Sequence, residues 1–274
     1  MIGKKRKSSF VEWFLQPFTD KRGNGHQPDY VLLAAVALLL FFGLIFLSSA
    51  SSTLAFYKHQ DTYRFVKQQI THGLLPGLVL FYLAIRINYD HYRKLSWLAL
   101  FGSFGLLLLV FFTSLSGDYS AQSWIILGGF SFQPAELVKL FLIIFLAAWF
   151  EKQGEDMKNL KKTTIPFIFI MGIISFLIIK QPDIGTLSII GLTALAMYYL
   201  AGAKLTHLWS ILSAGALAFL LMVKAAPDRM NRITAWLNPD VDPQGIGWQI
   251  KQSLIAVGSG GWLGLGLGSS RQKS

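Results

Sequence analysis

Apolar and polar stretches alternate along most of this chain, and the apolar stretches have a recurring length. Each is about 17 to 20 residues long, which is what a helix needs to cross the hydrocarbon core of a bilayer. Pro76 and Gly77 fall inside the second stretch, where they are expected to distort a helix. The pattern indicates an all-α polytopic membrane protein with seven transmembrane helices, at 30–49, 68–86, 95–113, 135–150, 165–180, 184–200 and 207–224.

The polar stretches divide the chain into three parts. Residues 1–28 form a basic tail, residues 29–224 the seven-helix membrane domain, and residues 225–274 a segment that is polar at first and glycine-rich later. The basic start followed by an apolar run resembles a secretory signal. Because that run is longer than a usual signal core and six more follow, we interpret it as a retained first helix.

The distribution of Lys and Arg predicts the orientation in the membrane. Residues 1–28 hold six of them, and more follow the second and fourth apolar runs, whereas residues 114–133 hold none. Cytoplasmic connections carry the excess of Lys and Arg, so the N-terminus is predicted to be cytoplasmic. Seven crossings then place residues 225–274 outside the cytoplasm, where that large segment is expected to be partly re-entrant.

Composition agrees with a membrane protein and excludes other classes. Hydrophobic residues make up 53% of the chain and charged residues 14%, whereas a soluble domain carries about 25% charged residues. The net charge of +11 would suit nucleic acid, but the basic residues lie between apolar runs, so no nucleic-acid partner is expected. The absence of cysteine excludes disulfides and thiol nucleophiles.

Five polar residues are predicted at membrane depth. Glu136 falls in the first turn of the fourth helix, where the helix dipole favours a carboxylate, and Lys139 shares its face and can pair with it. Asp183 is placed to cap the sixth helix. Each is either structural or part of a binding or proton pathway, because ionisable groups are costly so near hydrocarbon. The set comprises Gln133, Glu136, Lys139, Gln181 and Asp183.

The segment after the seventh helix has the side chains needed to bind an anion. Asp240 and Asp242 lie beside two prolines, which is typical of a turn, with a metal-binding or catalytic carboxylate as the alternative. The glycines between 258 and 268 permit either backbone N–H contacts with phosphate or close helix packing. The candidate ligand-binding residues are Arg232, Gln249, Lys251, Gln252, Arg271 and Lys273.

Three motifs carry a resemblance to a known family. They are WIILGGFSFQPAELVK from Trp124 to Lys139, QPDIGT from Gln181 to Thr186, and the stretch from Arg232 to Lys273. In this order they resemble the SEDS family of membrane peptidoglycan glycosyltransferases. The closing GLGSSRQK resembles the cell-division branch, FtsW, more than the sister branch, RodA.

The resemblance implies polymerisation of lipid II into glycan strands at the outer face of the bacterial cytoplasmic membrane, during cell-wall synthesis at the division septum. It implies ten helices, of which seven are present, and partners that include a class B penicillin-binding transpeptidase and other division-complex membrane proteins. The aspartate that the family is thought to use in catalysis would lie beyond Ser274. We therefore expect a C-terminally truncated, inactive fragment with no catalytic residue of its own.

The implied reaction sets requirements that the residues meet only in part. Transfer from a pyrophosphate-linked donor needs a base for the acceptor hydroxyl. It also needs cationic side chains or a divalent cation, Mg²⁺ or Mn²⁺, beside the departing pyrophosphate. Arg232, Lys251, Arg271 and Lys273 supply candidate cations.

Two alternative functions stay open at this point. A lipid II flippase or transporter would also need polar residues at membrane depth, although the chain lacks two similar halves with matching broken helices. A non-catalytic scaffold of the division complex would need no catalytic residue in this chain.

Overall fold

The computed structural model describes residues 29–113, 123–127, 130–224, 227–242, 244–262 and 264–269. The chain divides into two compact units: the described residues up to Ile87 together with those from Asp228 onward, and Asn88–Pro227. In chain order the elements are α1 (Tyr30–His59), α2 (Arg64–Arg86), α3 (Tyr89–Lys94), α4 (Ser96–Thr113), β1 (Ile125–Leu127), β2 (Phe130–Phe132), α5 (Pro134–Gln153), α6 (Leu160–Lys180), α7 (Ile184–Leu200), α8 (Leu205–Lys224), α9 (Pro227–Leu237) and α10 (Trp248–Gly260).

A helix lies at each of the seven predicted positions, and the largest difference is at the end of α1. This helix continues to His59, although the prediction ended it at residue 49. The serines of this stretch do not open a loop, because their hydroxyls bond within the helix. Ser51 Oγ donates to the Leu47 carbonyl at 2.7 Å, and Ser52 Oγ to the Ser49 carbonyl at 3.3 Å.

The distortion expected in α2 is present, and it precedes Pro76. Residues Gln69–Leu74 form a π-helical stretch, after which the helix resumes at Leu75. Proline has no N–H to donate and its ring crowds the carbonyl four residues earlier. A wider turn on that side relieves the crowding.

Four helices are long and apolar enough to cross a membrane: α1, α2, α6 and α8. Two further apolar helices, Ser96–Phe112 and α7, are shorter, and α5 carries four charged residues near its ends. The protein is therefore a mostly helical, polytopic membrane protein.

A short hairpin interrupts the helices of the second unit. Strands β1 and β2 pair antiparallel, with Ile125 opposite Phe132 and Leu127 opposite Phe130. This hairpin of two three-residue strands is a small addition to a chain that is otherwise helical, as predicted. The sequence did carry a signal, because Gly128-Gly129 between two apolar runs is typical of a two-residue hairpin connection.

The core of the second unit lies between α4, α5, α6 and α7. Phe145, Phe167 and Tyr198 are fully buried there. The rings of Phe167 and Tyr198 stack at a centroid distance of 4.7 Å and an angle of 5°. This aromatic packing fixes α6 against α7, and so holds in place the polar ends that carry the predicted site residues.

Candidate functional site

The polar junction, which we define as Gln133, Gln181 and Asp183, joins the ends of three helices in the second unit. Asp183 Oδ1 accepts from the Thr186 N–H at 3.1 Å and so caps α7, as predicted. Its other oxygen, Oδ2, accepts from Gln133 Nε2 at 2.7 Å. A single carboxylate therefore ties the start of α5 to the start of α7.

Gln181 is the buried member of the polar junction, with 2% of the residue exposed. Its Nε2 donates to the Leu107 carbonyl of α4 at 3.0 Å, and its backbone carbonyl accepts from Ser123 Oγ at 3.2 Å. Its Oε1 atom has no partner among the described residues. The amide therefore locks α4 to the end of α6 and keeps one acceptor for a hydroxyl or N–H group.

The predicted ion pair between Glu136 and Lys139 is present, with Lys139 Nζ 2.8 Å from Glu136 Oε1. Glu136 is the more exposed partner, with 55% of its side chain accessible, against 25% for Lys139. The buried face of this first turn is formed by Ala135 and Val138 instead. Lys139 also lines a cavity of about 160 Å³ between α5 and α7.

In the other unit, a tight turn connects α9 to α10. The Asp242 carboxylate accepts from the N–H groups of Gly245 at 2.9 Å and Ile246 at 3.2 Å. A Cβ atom at Gly247 would collide with the Pro239 carbonyl, so only glycine fits there. Asp242 thus holds the turn, as its sequence context predicted.

Asp240, in the same turn, pairs with a residue predicted to bind an anion. Its Oδ1 lies 2.9 Å from Lys251 Nζ, on α10. Lys251 is therefore paired with a carboxylate in this structure, and its role in binding an anion stays a prediction. The side chain of Arg232, on α9, is exposed and forms no hydrogen bond or ion pair with any described residue.

The remaining candidate ligand-binding residues of this segment lie either on α10 or outside the described residues. Gln249 and Gln252 lie on α10, the first exposed and the second half-buried. Arg271 and Lys273 fall outside the described residues. The structure therefore brings Lys251 to Asp240, and joins neither to Arg232.

The glycine-rich segment returns to the first helix. The Gly268 N–H donates to Ser49 Oγ at 2.8 Å, across 219 residues of sequence. Gly268 has a φ of +85°, a conformation that favours glycine. One of the backbone N–H groups that could have contacted phosphate therefore donates to a residue of the protein instead.

The connection between α1 and α2 carries a local charge pair. Lys67 Nζ lies 2.9 Å from Asp61 Oδ2, and the Tyr63 N–H donates to the Asp61 carboxylate at 3.0 Å. These hydrogen bonds, that from Lys67 foremost, hold the pKa of the Asp61 carboxyl below its usual range.

The expected divalent cation has no matching site in the part of the chain that the structure describes. No three His, Asp or Glu side chains come together there closely enough to hold a metal ion. Asp240 and Asp242 are engaged by Lys251 and by backbone N–H groups instead. We derive no step through a metal from these residues.

Sequence analysis missed the contacts that join distant positions. Besides the bond from Gln133 to Asp183, Thr164 Oγ1 lies 2.7 Å from the Tyr198 hydroxyl and 2.9 Å from His207 Nδ1. This network links α6, α7 and α8 at the end opposite the polar junction. No local sequence signal marks it, because the three residues are far apart along the chain.

Comparison with known proteins gives consistent matches. A family model described as "Cell cycle protein", FtsW/RodA/SpoVE, matches residues 29–274. Stage V sporulation protein E of Bacillus subtilis is 37% identical over 247 residues, which cover 90% of this chain and 67% of the relative. The probable peptidoglycan glycosyltransferase FtsW of Geobacter sp. (strain M18) is 35% identical, with coverages of 89% and 67%. That of Trichlorobacter lovleyi is 36% identical, with coverages of 89% and 64%.

A solved structure also matches. The matched chain comes from a structure described as a peptidoglycan synthase complex that coordinates polymerization and crosslinking. It superposes with a TM-score of 0.63 at 27% sequence identity. The match covers 85% of this chain and 66% of that one. The chain thus spans about two thirds of the length of the relatives it matches.

Proposed function

Because the chain belongs to the FtsW/RodA/SpoVE family of cell cycle proteins, we propose that the protein is a peptidoglycan glycosyltransferase. Its reaction would polymerise lipid II into glycan strands at the outer face of the cytoplasmic membrane, during septal wall synthesis. The observation that carries the proposal is the identity of 35% and 36%, over 89% of the chain, to relatives named probable peptidoglycan glycosyltransferase FtsW.

We extend the proposal to the membrane topology. Seven helices, α1, α2, α4, α5, α6, α7 and α8, cross the bilayer, and the N-terminus is cytoplasmic. The clustering of Lys and Arg before α1 and after the second and fourth apolar runs supports this orientation. Residues 225–274 then lie outside, on the side where the lipid-linked substrate is consumed.

Within this segment, Arg232 is the proposed contact for the pyrophosphate of lipid II. It is exposed, and the described residues offer it no carboxylate. A guanidinium binds two phosphate oxygens at once, which stabilises the charge that develops on the leaving group. Lys251 would contribute only if its pair with Asp240 opened, while Gln249 and Gln252 supply neutral hydrogen-bonding groups beside it.

The polar junction has a positioning role in this proposal. It fixes the start of α5, from which Glu136 and Lys139 project, to the start of α7. Residues so constrained keep a constant geometry at the membrane boundary while the substrate moves. Arg271 and Lys273 are proposed as further contacts to the same anionic group.

We also propose a class B transpeptidase as the partner and the division septum as the location. The match to a complex that coordinates polymerization and crosslinking supports the first proposal. The family's description as cell cycle proteins supports the second.

The experiment uses protein expressed from its complete gene and placed in liposomes with lipid II. We expect glycan strands, with and without a chelator, measured by gel analysis of the products. Translocation of lipid II is followed in the same liposomes. Translocation without polymer would favour a flippase. Binding of the transpeptidase with neither activity would favour a scaffold, and both results would contradict the proposed function.

A further inference from the structure

The connection between α5 and α6 carries an excess of positive charge. We call residues 152–162 the basic loop; it holds four lysines against two carboxylates, Glu155 and Asp156. One lysine is neutralised within the loop, because Lys162 Nζ lies 3.1 Å and 2.9 Å from the two carboxylate oxygens of Asp156. The other three are exposed and form no ion pair with any residue that the structure describes: Lys152, Lys158 and Lys161. We call these three the free lysines.

The basic loop is ordered by its own contacts, although most of it is exposed. Asn159 Oδ1 accepts from the N–H groups of Lys161 and Lys162, at 3.0 Å and 3.3 Å. Met157 anchors the loop to the second unit, since only 2% of the residue is exposed. A ligand of the free lysines therefore does not have to order the backbone of the loop, which lowers the entropic cost of binding.

The basic loop leads directly into a helix that is able to cross the membrane. Helix α6 is long and apolar enough to span a bilayer, so Lys161 falls in the first turn of a spanning helix. Leu160 precedes it and is 50% exposed. At such a helix end the lysine stem follows the apolar surface while its ammonium extends to the headgroups. The free lysines are therefore close to the depth of the lipid phosphates.

The backbone at the start of α6 does not supply an anion site. The N–H groups of residues 161–164 all donate to Asn159, two to its side chain and two to its carbonyl. The positive end of the helix dipole also disfavours a lysine in the first turn. An anion beside Lys161 would offset that unfavourable interaction. Any anion bound here is therefore held by ammonium groups.

We propose that the basic loop binds the headgroups of anionic phospholipids in the adjacent leaflet, through the free lysines. Charge and depth together select this partner, because lipid phosphates are the anions found at the membrane boundary. In the proposed orientation this is the cytoplasmic leaflet, opposite the side on which lipid II is polymerised. The inference goes beyond the proposed function, since lipid binding by the loop does not depend on the reaction that the protein catalyses.

The test compares the binding of phosphatidylglycerol with that of phosphatidylcholine, each carrying a fluorophore on its acyl chain. Affinities are measured by fluorescence anisotropy with the complete protein in a neutral detergent. Wild type should prefer phosphatidylglycerol, and added salt should weaken the preference because exposed charges are screened. Lys158→Gln and Lys161→Gln, made together, should lower the preference about fivefold for each lysine removed.

Matched variants separate the basic loop from charge in general. Lys180→Gln and Lys224→Gln, made together, remove the same number of charges from the opposite ends of α6 and α8, and should change the preference much less. Lys158→Arg with Lys161→Arg keeps the charge and should keep the preference. All these positions are exposed, so thermal unfolding in neutral detergent should show no loss of stability.

Three results would overturn the proposal. Wild type that binds both lipids equally would show that the complete protein leaves the free lysines no lipid to bind. A folded glutamine variant of the basic loop that keeps the full preference would assign the loop to another partner, such as an acidic protein segment. An equal loss in the variant of Lys180 and Lys224 would show that any charge at the boundary acts alike. None of these measurements uses glycan product, so the proposed function is tested separately.

Discussion

The polar junction and the segment that carries Arg232 use polar residues in opposite ways. At the junction, groups from α5, α6 and α7 bond to one another or to a distant backbone carbonyl, and Gln181 is buried. Around Arg232, the bonds are local and exposed: Asp242 holds its own turn, and Asp240 pairs with Lys251. The comparison teaches that residues of the junction act through the fold, whereas Arg232 is free to act on a ligand.

The most severe test of this contrast is Asp183→Ala. The change removes the cap of α7 and leaves the Gln133 amide without its acceptor. Lost caps cost about 1 kcal/mol and unpaired buried donors about 1 to 3, so we expect the free energy of unfolding to fall by about 3 kcal/mol. Denaturant unfolding in detergent measures it. Gln133→Ala, which keeps the cap, is the control and should cost less; equal losses would show that the cross-helix bond contributes nothing.

Arg232 should show the reverse behaviour, with a loss of binding and no loss of stability. We expect Arg232→Ala to weaken lipid II binding about tenfold or more, because hydrogen bonds to charged groups contribute about 1.5 to 3 kcal/mol. Arg232→Lys should recover only part of the affinity, since an ammonium cannot bind two oxygens in a fork. Binding in nanodiscs of neutral lipid measures it.

Lys251→Met is the matched comparison for Arg232. Because Lys251 is already paired with Asp240, its removal should change lipid II affinity much less than the removal of Arg232 does. A larger effect at Lys251 would mean that its ion pair opens to bind the ligand, and would reverse our assignment.

A double-mutant cycle on Glu136 and Lys139 should give a small coupling. With Glu136 more than half exposed, we expect an interaction below about 1 kcal/mol, as for exposed pairs. Thermal unfolding of the two single variants and the double variant in one lipid environment measures it. A coupling of several kcal/mol would indicate that lipid or another protein segment covers the pair.

The smallest effect should come from Asp61 and should depend on pH. Because the folded-state pKa of this carboxyl is lowered, its pair with Lys67 stabilises the fold above the unfolded-state value of about 3.9. That contribution is lost as the pH falls through the lower, folded pKa. The difference in unfolding midpoint between wild type and Asp61→Asn should therefore shrink in acid; Lys67→Met should abolish most of it, and a difference that grew in acid would contradict the sign.

Hydropathy predicted the helices well because the bilayer imposes their length. The predicted 184–200 coincides with α7, and the other six positions hold helices with shifted ends. The end of α1 lies ten residues beyond the predicted position, because the serines after the apolar run bond within the helix through their hydroxyls. The hairpin was missed because each strand has only three residues, too few for a periodicity to appear.

Site chemistry was predictable only where partners are close in sequence. Glu136 and Lys139, three residues apart, and the Asp183 cap both follow from helix geometry. The bond from Gln133 to Asp183 spans 50 residues, and the pairing of Asp240 with Lys251 depends on how a turn folds back on α10. Such contacts are set by tertiary packing, for which a single sequence has no local signal.

The bond between Gly268 and Ser49 has a consequence for biosynthesis. Its two residues are separated by 219 positions, which a ribosome producing 5 to 20 residues per second needs about 11 to 44 s to synthesise. For most of that interval α1 and α2 are already made, while Gly268, which binds Ser49, has not been synthesised. The contact between Gly268 and α1 therefore forms only after α10 has been synthesised, and it cannot guide the insertion of α1 and α2.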